Sequence, residues 1–353
     1  MVYLLLICWV LFIGIVFSHP YKSYNQDNLF LFLSFVPMTF IMGLRSVDVG
    51  IDTIEYAEIF EIVASESWNN LFEDFYYLGI EIGYALFMKC CSCISNDYYV
   101  FQFIFSLLYC LGFGIFIKNN MQHRFFGAIL FLCFGTYLSA FNIARQMFAV
   151  MIVANSIYFL KQQKIVQAII IMMIALTIHI SSILFLIVPL CYVLQKSKLI
   201  YFVPFLLIIG FYLFEGALQL TSDLLVDYQS YYDNTANHRT TIGFSIIIYA
   251  TITLLSVIAI YFSLNQETEQ RLYAIFSLMY VGFVFMGTSI NYIERLGLYF
   301  TPFVLLLFEY FIEFIGRKSK NKVASQIYAL GITSFYIMYF CIGVARGEQY
   351  KFL

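Results

Sequence analysis

Apolar runs recur along nearly the whole chain, separated by short breaks of charged, glycine and asparagine residues. A helix rising 1.5 Å per residue needs about 20 apolar residues to cross a bilayer. The pattern therefore predicts an all-α, polytopic membrane protein, a single transmembrane domain over residues 1–353 with about twelve spans. The spans are expected near residues 2–17, 28–44, 98–117, 124–141, 145–160 and 165–178, then near 180–194, 199–215, 243–263, 272–289, 296–314 and 324–344. Residues 79–94, GIEIGYALFMKCCSCI, read as an interfacial or re-entrant helix, because a crossing there would put the next basic loop on the wrong side. The first run, MVYLLLICWVLFIGIVF, has no basic leader region or small-residue cleavage site and is expected to be the first span.

Composition supports the same class. Only 11% of residues are charged and 62% are hydrophobic, with a mean hydropathy of +0.85, against about 25% charged in soluble domains. A net charge of -2 with no clustered basic face excludes nucleic acid as a partner. Cys8, Cys110, Cys133, Cys191 and Cys341 fall inside apolar runs and read as small hydrophobes. Cys90, Cys91 and Cys93 have no second pair or histidine at zinc-binding spacing, so no metal is expected there.

Charge sets the expected sidedness. Lys22, Lys118, Arg124, Lys161, Lys164, Lys196, Lys198, Arg271 and the run Arg317 to Lys322 fall on one side, the cytoplasmic one by the positive-inside rule, and both termini then lie outside. The two long outer loops, 45–97 and 216–242, are acidic and aromatic. The second holds Asp223, Asp227, Tyr228, Tyr231, Tyr232, Asp233 and Arg239. Carboxylates accept from sugar hydroxyls and rings cover pyranose faces, which suits glycan recognition. Outer loops merely poor in basic residues would look the same.

Four polar constellations fall on that outer side. In LRSVDVGIDTIEYAEIF, residues 44–60, Arg45 ends an apolar helix, and Asp48 and Asp52 follow around Gly50. They place a cation and two carboxylates at the membrane rim; alternatively Arg45 is an interfacial anchor, and Asp52 with Glu55 forms a capping box for a helix over 53–65. In FNIARQMFAV, Arg145 and Gln146 open a long apolar helix that Asn142 can cap, a place where an arginine meets either an anion or the interface. In ALTIHISSILF, His179 sits in a run of 30 apolar residues, about 45 Å of helix, too long for one crossing, so the break is expected at His179. In NYIERLGLYF, Glu294 and Arg295 begin a late span as a functional or a locally compensating pair. Glu309 and Glu313, near the cytoplasmic end of that span, read as structural, Glu313 preceding Arg317 by four residues.

Taken in order, LRSVDVGIDTIEY, EIGYALF, IARQMFAVMI, ALTIHISS and YIERLGLYF resemble the EpsG-like branch of the Wzy polysaccharide polymerases over residues 44–303. Ile82 stands where a family member often has proline. The resemblance implies a GT-C-like membrane glycosyltransferase at the outer face of a bacterial cytoplasmic (inner) membrane. Such an enzyme moves a glycan from one undecaprenyl-diphosphate carrier to the sugar of another carrier-linked repeat unit. It needs no cofactor, and a chain-length regulator is a candidate partner.

On that footing Arg45, Arg145, Gln146 and Arg295 are expected at the diphosphate, His179 and Asp52, then Glu294, as the catalytic base, and Asp48, Tyr56, Glu81, Tyr228, Tyr232 and Arg239 at the glycan. Guanidinium binds phosphate bidentately and stays charged, so metal independence is expected. A flippase for lipid-linked glycans, a glycan ligase and a membrane O-acyltransferase are the alternatives.

Overall fold

The computed structural model describes residues 2–17, 24–74, 78–204, 206, 209–210, 245–263, 269–288, 292–320 and 322–346. Among them the regular structure is helical throughout. The helices are α1 (Val2–Val16), α2 (Tyr24–Gly43), α3 (Thr53–Ser65), α4 (Trp68–Asp74), α5 (Ile82–Ser92), α6 (Tyr98–Asn120), α7 (Arg124–Cys133), α8 (Thr136–Asn142), α9 (Ala144–Lys161), α10 (Ile165–Ile178) and α11 (Ile187–Val193). Then follow α12 (Ile246–Ser263), α13 (Glu269–Met286), α14 (Glu294–Gly297), α15 (Thr301–Ser319) and α16 (Lys322–Arg346).

Five helical segments among the described residues are long and apolar enough to cross a membrane: Tyr98–Asn120, Arg124–Asn142, Ile246–Ser263, Glu294–Ser319 and Lys322–Ile342. The expected crossings at 2–17, 28–44, 145–160, 165–178 and 272–289 fall on α1, α2, α9, α10 and α13. Much of the segment 199–215 and all of the loop 216–242 lie outside the described residues. The segment expected at the interface is α5, 11 residues long. At 1.5 Å per residue it reaches about 16 Å, half a hydrocarbon core. The segment Arg124–Asn142 is broken at Gly135, which takes φ +100° between α7 and α8.

The chain divides into two compact units, Met1–Ile183 with Ile312–Leu353, and Leu184–Phe311. In the first, α2 packs along α6, α6 along α9, α9 along α10, and α16 on α7. Pro37 lies inside α2 and removes one helical donor, the one that Leu33 O would accept. Trp9 Nε1 of α1 donates to that carbonyl at 2.9 Å, so a neighbouring helix satisfies the freed group. Arg124 at the start of α7 pairs with Asp27 in the first turn of α2. Buried Tyr109 and Tyr137 send their hydroxyls to Thr136 O and Met38 O, each at 2.7 Å. In the second unit α12 packs on α13, and Phe276, Phe283, Phe300 and Phe303 form its aromatic core. Buried Arg271 donates there to Ser263 O at 2.6 Å and Gln195 O at 3.3 Å.

One lysine organises the loop that carries the site. Lys89 on α5 is 7% exposed, and its Nζ donates to Val63 O, Ala64 O and Glu66 O at 3.1, 3.1 and 2.5 Å. These are orphan carbonyls at the end of α3, so the ammonium is a C-cap delivered from another helix. Lys89→Met keeps the apolar stem and removes the donors. It is expected to destabilise the 53–92 segment by about 1–3 kcal/mol, read as faster amide exchange in α3 and α5 with exchange in α6 unchanged.

Candidate functional site

The turn after α2 is built around Arg45, which is 2% exposed. Its Nη1 donates to Met42 O at 2.7 Å, its Nε to Val49 O at 3.2 Å, and its guanidinium lies 4.5 Å over the Phe141 ring. Gln102 Nε2 of α6 donates to Gly43 O and Arg45 O, at 3.0 and 2.8 Å. Gly50 takes φ +108°, and a Cβ there would come within 2.2 Å of Phe141 O, so the close approach of turn and α8 requires glycine. Thr53 Oγ1 shares its hydrogen between Val49 O and Phe141 O, and Ile51 N donates to Asn142 Oδ1 at 2.9 Å.

Two capping expectations are corrected by these bonds. Asp52 does stand at the N-cap of α3, but its side chain makes no capping bond, so the box with Glu55 does not form. Asn142 does not cap α9 either: Ile143 holds that position, and the Asn142 amide serves Ile51 of the turn instead.

α9 then begins at Ala144, placing Arg145 in its first turn. α10 ends at Ile178, with His179 in extended backbone, φ -155° and ψ 118°, before a 3-10 turn over Ile180–Leu186. The helical break therefore falls where the length of the apolar run requires it. The start of α5 crosses the end of α10: a Cβ on Gly83 would lie 2.2 Å from Thr177 Oγ1 and 2.6 Å from Thr177 O. That contact sets Glu81 beside His179.

Glu81 is the hub. Its Oε1 lies 2.6 Å from His179 Nδ1 and accepts from Ile180 N at 3.0 Å; its Oε2 accepts from Arg145 Nη1 at 3.2 Å. Arg145 Nη1 also donates to Gly79 O at 2.8 Å, and the guanidinium stands 5.7 Å over the Tyr56 ring. Arg145 Nε is buried with no hydrogen-bond partner among the described residues. The side chains of Arg145, Glu81 and His179 keep 20, 20 and 23% exposure, so all three stay within reach of a ligand.

Beneath them lies an aromatic floor from four helices. Tyr56 meets Tyr84 at 6.1 Å, Phe60 stacks on Phe101 at 5.0 Å, and Phe87 stacks on Phe148 at 5.1 Å. Such pairs contribute about 0.5–1.5 kcal/mol each beyond their burial.

The electrostatics are those of an ionised carboxylate held between an imidazole and a guanidinium. Burial alone would raise the Glu81 carboxyl, but the bond and charge of His179, the Ile180 N–H and the charge of Arg145 outweigh it and hold it below its ordinary value. A lowered folded value means that this charge stabilises the fold above the ordinary carboxylate range, and that the contribution is lost as pH falls through the lowered value. Burial raises the Tyr56 hydroxyl, against the pull of Arg145.

The remaining expected residues are distributed as follows. Asp48 lies in the turn after Arg45; Asp52 begins α3 and acts electrostatically on Tyr56. Gln146 is 5% exposed. Glu294 and Arg295 form the start of α14 in the second unit, where the Arg295 guanidinium lies 4.4 Å from the Tyr292 ring. Tyr228, Tyr232 and Arg239 lie outside the described residues. Among the described residues no group of three or more histidine, cysteine or acidic side chains is placed to hold a metal.

Sequence reasoning placed Glu81 among glycan ligands and missed its contacts with Arg145 and His179. Its flanking Gly79 and Gly83, one at φ +63° and one in contact with Thr177, were the available signal.

Residues 28–351 match the model of the EpsG family. The chain belongs to the EpsG family. No curated protein and no solved structure matches it at a significant level. EpsG membership points to a polysaccharide-polymerase type of function in a helical membrane protein.

Proposed function

We propose that this EpsG-family chain is a polysaccharide polymerase that transfers a glycan from one polyprenyl-diphosphate carrier onto the sugar hydroxyl of another carrier-linked repeat unit. The observation that carries the reading is the convergence of Arg145 and His179, 34 positions apart, on the two oxygens of Glu81. It sets a permanent cation beside a titratable imidazole, both partly exposed, which are the two groups this transfer needs.

The leaving diphosphate carries its charge to a lipid tail, so its cationic partner belongs at the membrane rim. Arg145, in the first turn of α9, joins guanidinium charge to the positive end of a helix. His179 takes the proton of the attacking hydroxyl as the oxocarbenium-like transition state develops. Diphosphate neutralisation by guanidinium makes the reading metal-independent. Arg45 supports the reaction as the post of the turn, its donors given to Met42 O and Val49 O. By the positive-inside rule the site belongs to the outer face of the cytoplasmic membrane. The outer loop 216–242 supplies glycan contacts, Tyr228, Tyr232 and Arg239 among them.

The test is a size ladder of surface polysaccharide from cells lacking the protein. A collapse to single attached repeat units, restored by the wild-type gene, is the expected result. Loss of all surface glycan, with carrier-linked repeats accumulating on the inner leaflet, would indicate a flippase and overturn the reading.

A further inference from the structure

We propose that Glu81 is the positioning residue of this site: it holds the His179 imidazole in the tautomer protonated on Nδ1, leaving Nε2 as the proton acceptor. The tautomer follows from geometry alone; its part in glycan transfer rests on the polymerase reading.

Glu81 Oε1 already accepts the Ile180 N–H at 3.0 Å, and Oε2 accepts from Arg145 at 3.2 Å. A carboxylate in that setting is the ionised, acceptor-only form, so the ring nitrogen 2.6 Å from Oε1 must be the donor. A neutral imidazole carries one N–H, and with that hydrogen on Nδ1 the lone pair is on Nε2. A freely solvated imidazole favours the opposite tautomer, so the carboxylate is what selects this one. The Ile180 amide adds direction: it belongs to the residue after His179, so backbone and ring of one dipeptide are gripped by the same oxygen. Against the imidazole stands Glu81, immediately before α5; its other oxygen holds Arg145 from α9, on which Tyr56 and Tyr84 act, and Asp52 acts in turn on Tyr56.

In the transfer the acceptor oxygen forms its bond to the anomeric carbon of the donor glycan. The bond from that carbon to the diphosphate oxygen breaks, and its electron pair leaves on the diphosphate. The hydroxyl proton passes to Nε2, and the resulting imidazolium lies against the Glu81 charge until it gives the proton to water. Arg145 contributes a second effect, because its contact with Oε2 keeps Glu81 ionised and stops the carboxylate from taking the proton itself.

The experiment uses the full-length protein in lipid nanodiscs with ¹⁵N-labelled histidine. The chain has four histidines, and His179→Gln assigns the signal. The wild type is expected to show the Nδ1-protonated tautomer when neutral, Glu81→Asp to retain it, and Glu81→Ala to turn mainly to the Nε2-protonated form. Elongation of a lipid-linked repeat unit is read in parallel. Glu81→Ala and Glu81→Gln should fall by about 100-fold or more, with the loss in turnover and the substrate KM nearly unchanged. Glu81→Asp should recover at least about tenfold of that loss.

An Nε2-protonated His179 in the wild type overturns the proposal, and this spectrum decides even where Glu81→Ala does not fold. An unchanged tautomer and rate in Glu81→Ala, with an active wild type, overturns it as well. The expected tautomers with no elongation by any form would leave the positioning intact and remove the polymerase reading instead.

Discussion

Arg145→Ala is expected to leave the protein inserted in the membrane and to shorten its polymer to one or a few repeat units, with turnover reduced about 100- to 1,000-fold. That is the range for removing a charge partner that acts on the transition state. Two losses combine. In the proposed reaction the guanidinium no longer meets the leaving diphosphate, and Glu81 loses the donor held at 3.2 Å. Arg145→Lys separates them: it keeps the charge and gives up the planar fork, so it should recover only part of the activity. The check is the size distribution of polymer at matched protein levels. Normal chain length in Arg145→Ala would remove the arginine from the reaction.

His179→Ala is expected to cost about 10²- to 10⁴-fold in elongation, the range for losing a general base. Its effect should fall on turnover, with binding of the carrier-linked substrate nearly kept, since the diphosphate partner is intact. His179→Gln tests the same point with less loss of volume. A decrease of about tenfold or less would move the base to Asp52, which stands one turn from Tyr56 at the start of α3. Measuring the initial elongation rate against substrate concentration distinguishes a turnover effect from a binding one.

The two predictions depend on features that were unequally legible in the sequence. The long apolar helices and the break at His179 follow from run length alone, because a helix of fixed rise either fits a bilayer or does not. The turn at Gly50 was also visible, since an arginine, a glycine and two aspartates after an apolar run leave few conformations. What could not be read was which side chain spends its hydrogen bonds on which partner. Asp52 and Asn142 are good capping residues by local rule, yet the turn and α8 approach so closely that Asn142 is captured by Ile51, 91 positions away. Arg45 reads as a cation at a rim, and its donors go to carbonyls of its own turn. Glu81 was hidden for the same reason. Its two partners lie 64 and 98 positions away and reach it only because α5 crosses α10 at Gly83.

The grip of Lys89 on the end of α3 also bears on how the site is lost. α3 and α5 are short, of 13 and 11 residues, and isolated helices of that length are marginal in water. Joined by one ammonium with three carbonyls, they are expected to open and close as one cooperative unit at lower free energy than the long spans. Glu81 immediately precedes α5, so one sub-global opening event would release Arg145 and His179 together. Inactivation of the proposed activity by mild heat or denaturant should therefore accompany the small helicity loss of α3 and α5 and precede that of the long spans.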